Sequence, residues 1–245
     1  MRKTVLFIQS LFIVFTCLAQ KPDASFDTRS YLYQISVSDE SDRIDVDATI
    51  RLVMLQKSES ILFDLISVNQ QGKGMTVSAV SSDTRALKFV QENNKLIISL
   101  SAAKGQTVEL QIRYSGIPAD GLIISKTKYG RRSFFADNWP DRARNWIVSV
   151  DEPADKASVE FAVTAPSHYQ VIANGVLTEE SNIEANKKLT RWRESLDLPT
   201  KVMTVGIADF AVQHLDSTGS VDIQTWVYPE DRDKGFYDFE LAREM

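Results

Sequence analysis

Alternation of apolar and polar residues with a period of two runs through most of this chain. Ile44, Val46, Ala48, Ile50, Leu52 and Met54 alternate with Asp45, Asp47, Thr49 and Arg51. Tyr31, Tyr33, Ile35 and Val37 follow the same rule, as do Val108, Leu110, Ile112 and Tyr114. Val159, Phe161, Val163 and Ala165 repeat it, and so do Val221, Ile223, Thr225 and Val227. Successive side chains of an extended strand point to opposite faces, so this pattern describes strands with one face in a core and one in water. Leu96, Ile98 and Leu100 add a strand after the Asn93-Asn94 turn. Asn174-Gly175 lies between Val171-Ile172-Ala173 and Val176-Leu177. Both central residues of a type I′ turn need positive φ, so this pair predicts a hairpin. Gly105, Gly116-Ile117-Pro118 and Asp120-Gly121 mark further turns. Strands at this spacing, with no helical segments between them, predict an all-β, antiparallel, sandwich-like fold. Only the end departs from it. After Pro229, Glu230 and Asp231 suit a helix N-terminus electrostatically, and Phe236, Phe239 and Leu241 recur at helical spacing, which predicts a short C-terminal helix.

The first residues read differently. Arg2 and Lys3 precede an apolar run from Val5 to Cys17, and Cys17-Leu18-Ala19 ends in a small residue. That is the layout of a secretory signal peptide over residues 1–19, cleaved after Ala19. The run is short for a membrane span. Export is therefore expected, to the periplasm, the outer surface or the medium, with no membrane span after cleavage. A retained anchor and a lipid-modified Cys17 are the alternatives. Cys17 is the only cysteine, so the mature chain has no disulfide, thiolate nucleophile or cysteine metal site. Cleavage leaves 26 basic against 33 acidic residues, a net charge of −7. An acidic balance without a basic run argues against a nucleic-acid partner.

A search for reaction chemistry returns little. Only two histidines occur, His168 and His214, and neither begins a His-Glu-x-x-His pair. That motif would set two imidazoles one helical turn apart around zinc. No metal site, resident cofactor or catalytic residue is expected. One segment is dense in chemistry: Arg131-Arg132-Ser133-Phe134-Phe135-Ala136-Asp137-Asn138-Trp139-Pro140-Asp141-Arg142-Ala143-Arg144-Asn145-Trp146, followed by Asp151-Glu152-Pro153 and Lys156-Ala157. Tryptophan and arginine give large contacts, and a carboxylate can hold a cation such as a peptide amine. A structural clamp accounts for it equally well. In that reading Arg144 pairs with Asp137, Asp141 or Asp151, and Trp139 and Trp146 pack under the loop.

This segment resembles the N-terminal domain of zinc aminopeptidases of the aminopeptidase N family. Arg144, Asp151, Pro153, Lys156 and Ala157 match a family layout, with the arginine seven residues before the Asp of an Asp-x-Pro and a Lys-Ala after it. Tyr114-Ser115-Gly116 with Asp120-Gly121-Leu122, then Val163-Thr164-Ala165-Pro166 with Val171 to Gly175, then Leu198-Pro199-Thr200 with Val205 to Phe210, follow in the family's order. Trp226-Val227-Tyr228-Pro229 sits where the last N-terminal strand hands over to the catalytic domain. The resemblance implies a saddle-shaped β-sandwich-like domain over residues 20–229, and over 230–245 the start of a helical zinc catalytic domain. It implies zinc and peptide substrates for the full-length enzyme, and the missing catalytic domain as partner. The family's Gly-x-Met-Glu-Asn and His-Glu-x-x-His are not in this chain. In the family, a loop just before the matched arginine reaches the substrate amine. Asp137 and Asn138 occupy that stretch here and are the candidate substrate contacts, without the family's Gln/Glu wording. A stand-alone peptide- or glycan-binding module using Trp139 and Trp146 is the competing reading, and a gene product without independent function is the third.

Overall fold

A computed structural model describes residues 25–184, 186–215 and 222–244. Residues 1–19, read above as a signal peptide, lie outside them, as do Val221 and Met245. In chain order the strands begin with β1 (Phe26–Ser36), β2 (Ile44–Met54), β3 (Ser58–Asp64), β4 (Gly74–Ser82), β5 (Arg85–Ala86) and β6 (Phe89–Glu92). Next come β7 (Lys95–Ala102), β8 (Thr107–Ile117), β9 (Leu122–Lys126), β10 (Arg132–Ala136) and β11 (Lys156–Pro166). The last are β12 (Gln170–Ala173), β13 (Val176–Glu184), β14 (Lys187–Pro199), β15 (Val205–Ala208), β16 (Ala211–Leu215) and β17 (Ile223–Val227). One short helix, α1 (Arg232–Asp238), follows a 3₁₀ turn at Pro229–Asp231. None of the described helices is long and apolar enough to cross a membrane.

The strands form an eight-stranded sheet in the order β13-β14-β11-β1-β2-β8-β4-β5, a four-stranded sheet β12-β15-β10-β9, a three-stranded sheet β3-β7-β6 and the β16–β17 pair. This is the all-β architecture with a short C-terminal helix that the alternation predicts. The alternating positions face one way: every second residue of β2, from Ile44 to Met54, is at most 4% exposed. Together with Tyr31, Tyr33 and Ile35 they share one core with Phe63 and Ile98 of the three-stranded sheet and Phe134, Val171 and Ile207 of the four-stranded sheet. Trp146, Ile147 and Val148, from the loop between β10 and β11, complete that core. The two small sheets and this loop thus bury the inner face of the large one. Removing these side chains from water is the main stabilising term, roughly 25 cal/mol per Å² of apolar surface.

Three details differ from the sequence reading. The large sheet is not wholly antiparallel: β1 runs parallel to β11, from Ser30 opposite Ser158 to Ser36 opposite Thr164. Asn174-Gly175 does not close a hairpin. β12 pairs with β15, whereas β13 pairs with β14 in the other sheet. The turn is a crossing point between sheets: the Asn174 side chain accepts from Thr204 N at 2.6 Å and donates to Val202 O at 3.0 Å. A Cβ on Gly175 (φ +86°) would come 2.0 Å from Arg193 O. Tertiary anchors thus overrode the local turn preference. Gly116 is not a turn residue but lies within β8, where the backbone of β4 crowds it.

A Cβ at Gly116 would stand 2.0 Å from Gly74 O. Gly116→Ala is expected to destabilise the fold by about 1–3 kcal/mol, as overpacking does. A urea titration followed by tryptophan fluorescence measures it.

Candidate functional site

The loop from Asp137 to Asp151 crosses the open end of the core, and the large sheet grips it with phenols. Tyr33 Oη donates to Val148 O at 2.8 Å, Tyr114 Oη accepts from Val148 N at 3.3 Å, and Tyr31 Oη accepts from Val150 N at 3.2 Å. Burial pushes all three phenols well above their ordinary range, so they stay neutral. The sequence placed these tyrosines on the inward face. It carried no sign that their hydroxyls would meet this loop.

Asp151 is the polar centre of the loop. Its side chain is 1% exposed and its Oδ2 lies 3.0 Å from Arg144 Nε. Arg144 N also donates to that oxygen at 3.2 Å, and Arg144 Nη2 donates to Asp151 O at 3.1 Å. Thr200 Oγ1 donates to Oδ1 at 2.6 Å. Asp64 extends the network: its carboxylate accepts from Asp151 N at 3.2 Å, pairs with Lys95 and stands 3.7 Å from Arg144 Nη1. Burial works against the Arg144 charge, but the hydrogen bond to Asp151 and the carboxylates of Asp64, Asp151 and Asp141 outweigh it, so its pKa is raised. The contributions of Thr200, Asp64 and Lys95 were not visible in the sequence, because they come from segments distant in the chain.

Asn138 is buried, contrary to its expected place at a substrate surface. Its Nδ2 donates to Thr200 O at 3.1 Å and Met203 O at 2.6 Å, and its Oδ1 accepts from Trp146 Nε1 at 2.8 Å. Every polar atom of the amide is engaged inside the protein, so the residue ties the loop to the β14–β15 connection. Trp146 lies wholly inside, stacked on Phe161 with ring centroids 6.3 Å apart. Trp139 does not pack under the loop as the clamp reading has it. Its indole is 61% exposed, with Lys201 Nζ 4.7 Å above the ring. Asn138 takes the inward position, and its neighbour turns outward.

Asp137 faces solvent and pairs with Arg142, which also donates from Nε to Trp139 O at 2.6 Å. The Asp137 amide donates to Gly121 O at 2.7 Å. Gly121 itself has φ +74°, and a Cβ there would meet Arg142 O at 2.2 Å. The backbone is therefore fixed at Asp137, and a carboxylate and an indole project from a rigid support. Alongside, the four-stranded sheet carries half-buried aromatics on its outer side. Phe210 stacks on Tyr228 at 6.0 Å and meets Phe135 edge-on at 6.0 Å, and Ile123, opposite Phe135, is 41% exposed.

The described residues supply no zinc site. No three His, Cys, Asp or Glu side chains among them converge as ligands. His168 Nε2 lies 2.9 Å from Asp39 beside the four-stranded sheet, and His214 lies in β16, 3.7 Å from Asp222.

The sequence profile of the Peptidase M1 N-terminal domain matches residues 27–202. The chain belongs to this family. The match covers β1 to the Thr200 turn, and so the whole Asp151 network. Among curated proteins, a probable aminopeptidase 2 of Sulfurisphaera tokodaii is 25% identical over 175 residues, 70% of this chain and 22% of that protein. Among solved structures, the M1 zinc metallopeptidase of Deinococcus radiodurans shares the fold with a TM-score of 0.69 at 20% identity, over 82% of this chain and 47% of the other. A mutant of it bound to a Tyr-Ser-Ala substrate gives 0.71 at 18%, over 84% and 48%. The M1 N-terminal domain described here thus spans about a fifth of the curated relative and about half of the solved chains.

Two outcomes test the network. Asp151→Ala leaves Arg144 partly buried without its partner and is expected to cost about 3–5 kcal/mol, whereas Asp137→Ala at the surface costs less than about 1. Chemical denaturation of both variants compares them. Asp155, at the end of the same loop, is pushed above its ordinary range by burial, which the hydrogen bond from Thr28 N at 3.3 Å only partly offsets. Its carboxyl ionises more readily in the unfolded chain, so its contribution to stability is present at low pH and is lost as pH rises through the folded value. Asp155→Asn is therefore expected to raise Tm at pH 7, with the difference from the native protein vanishing below about pH 4. Thermal scans across that range check it.

Proposed function

We propose that this chain is the non-catalytic N-terminal domain of an exported zinc-dependent aminopeptidase. In that role it helps shape the site for a peptide N-terminus and docks the catalytic domain. The observation that carries the reading is the rigid loop from Asp137 to Asp151 in a domain of this family. Asp137 and Trp139 are held outward while Asn138, Arg144 and Asp151 lock the backbone beneath them. A fixed carboxylate suits a peptide ammonium group, and an exposed indole on a stiff backbone suits an interface anchor. The aromatic outer side of the four-stranded sheet, with Phe135, Ile172, Phe210 and Tyr228 half-buried, supports docking. Zinc, and the water it activates, would belong to the partner domain. Export rests on the composition of residues 1–19.

The exposed indole of Trp139 also favours a second reading, a stand-alone peptide- or glycan-binding module. It would rest on Trp139 without Trp146, which is buried.

The pure chain is expected to release no amino acid from peptide arylamides. Chelator-sensitive release would overturn the non-catalytic assignment. Co-expression with a His-Glu-x-x-His domain from the same genome is expected to yield a complex with arylamidase activity. Failure to co-purify, together with peptide or glycan binding by the lone chain that Trp139→Ala abolishes, would favour the second reading. Gln20 as the first residue of protein recovered from the native host would support export.

A further inference from the structure

The C-terminal segment is attached to the sheets in an unusual way. Neither the turn at Pro229–Asp231 nor α1 contains a buried residue. Tyr237, Phe239 and Leu241 are 76%, 55% and 66% exposed. α1 meets β17 at Gly235, where a Cβ would come 2.6 Å from Val227 Cγ1, and its Phe236 is half-buried. Hydrophobic burial therefore contributes little to holding this segment in place.

Polar hooks hold it instead, and they come from one place. The loop joining β9 to β10 reaches the entrance of α1. Lys128 Nζ lies 3.0 Å from Asp231 Oδ2, and Tyr129 Oη donates to Asp231 Oδ1. Arg131 Nη2 lies 2.9 Å from Glu230 Oε1, and Arg131 also pairs with Asp209. The Tyr129 ring meets Tyr228 edge-on at 6.4 Å. Asp231 is the N-cap residue of α1 and Glu230 precedes it in the 3₁₀ turn, positions where carboxylates ordinarily favour a helix. Here no side chain caps α1. The two carboxylates are turned to the hairpin instead.

We propose that the β9–β10 hairpin is an ionic clasp that holds residues 229–244 against the sheets and releases them as ionic strength rises. Charges as accessible as Lys128 and Arg131, 64% and 44% exposed, are screened by salt. A segment held by such bonds and by no buried side chain opens locally, without unfolding the body. The clasp sets the direction in which the C-terminal segment leaves the sheets. It stands on this chain's own contacts and does not require the function proposed above.

Hydrogen exchange of the full chain tests it. From about 0.01 M to about 1 M salt the Debye length falls from about 30 Å to about 3 Å. Amides of residues 230–239 are expected to exchange about tenfold faster at the high end, while β1, β2 and β8 are unaffected. Lys128→Ala combined with Tyr129→Phe is expected to reach that fast rate already at low salt. Lys128→Arg, which keeps the charge, keeps the slow rate. The proposal is overturned if the double variant exchanges like the native chain, if the native rate ignores salt, or if faster exchange spreads through β9, β10 and the large sheet.

Discussion

A carboxylate with only 1% of its side chain exposed, such as that of Asp151, is stable only if its neighbours replace the water it has lost. Arg144 and Thr200 do so, and with Asp64 the node joins three separate stretches of chain. Arg144 and Asp151 both belong to the loop and tie its second half together. Thr200 brings the end of β14, and Asp64, bonded to the Asp151 amide, brings β3. With that node in place, Trp146, Ile147 and Val148 lie against the core of the large sheet. Without it, a loop rich in charge would have little reason to cover an apolar surface. The loop's outward chemistry depends on this inward one. Asp137 and Trp139 keep fixed positions because Asn138, between them, is bonded on both sides of its amide.

Such a node is costly to assemble and costly to break, and it selects one arrangement of the loop over others. The three tyrosines work to the same end. Their hydroxyls satisfy backbone groups at Val148 and Val150 that would otherwise be buried without partners. The loop is thus irregular in shape, but its backbone at Val148 and Val150 is paired, as a buried connection has to be.

The strands were legible in the sequence because alternation reports directly on burial. The inward set of β2, from Ile44 to Met54, is the clearest case. Arg144 and Asp151 stood out through spacing and family likeness. Their other partners did not, since Thr200 and Asp64 are far from them in the chain and their roles depend on how the sheets meet. Asn174-Gly175 shows the opposite failure. A strong local signal for a hairpin yielded to anchors at Val202 and Thr204 that no local pattern contains. Trp139 and Trp146 look alike in sequence, yet one is exposed and the other sealed, because the orientation of each follows from Asn138.

The parallel pair of β1 with β11 has a consequence for how the molecule is made. β1 finds β2 at once, through a short turn. Its other neighbour lies far along the chain: Ser158 Oγ reaches Arg29 O across 129 positions. A chain emerging from its N-terminus therefore carries β1 with an unpaired edge through the synthesis of everything up to β11. Open edges of this kind invite pairing with other chains, and contacts so distant in sequence form slowly. The middle of the large sheet thus closes only once β11 has been made, and a nascent chain needs protection there until β11 arrives.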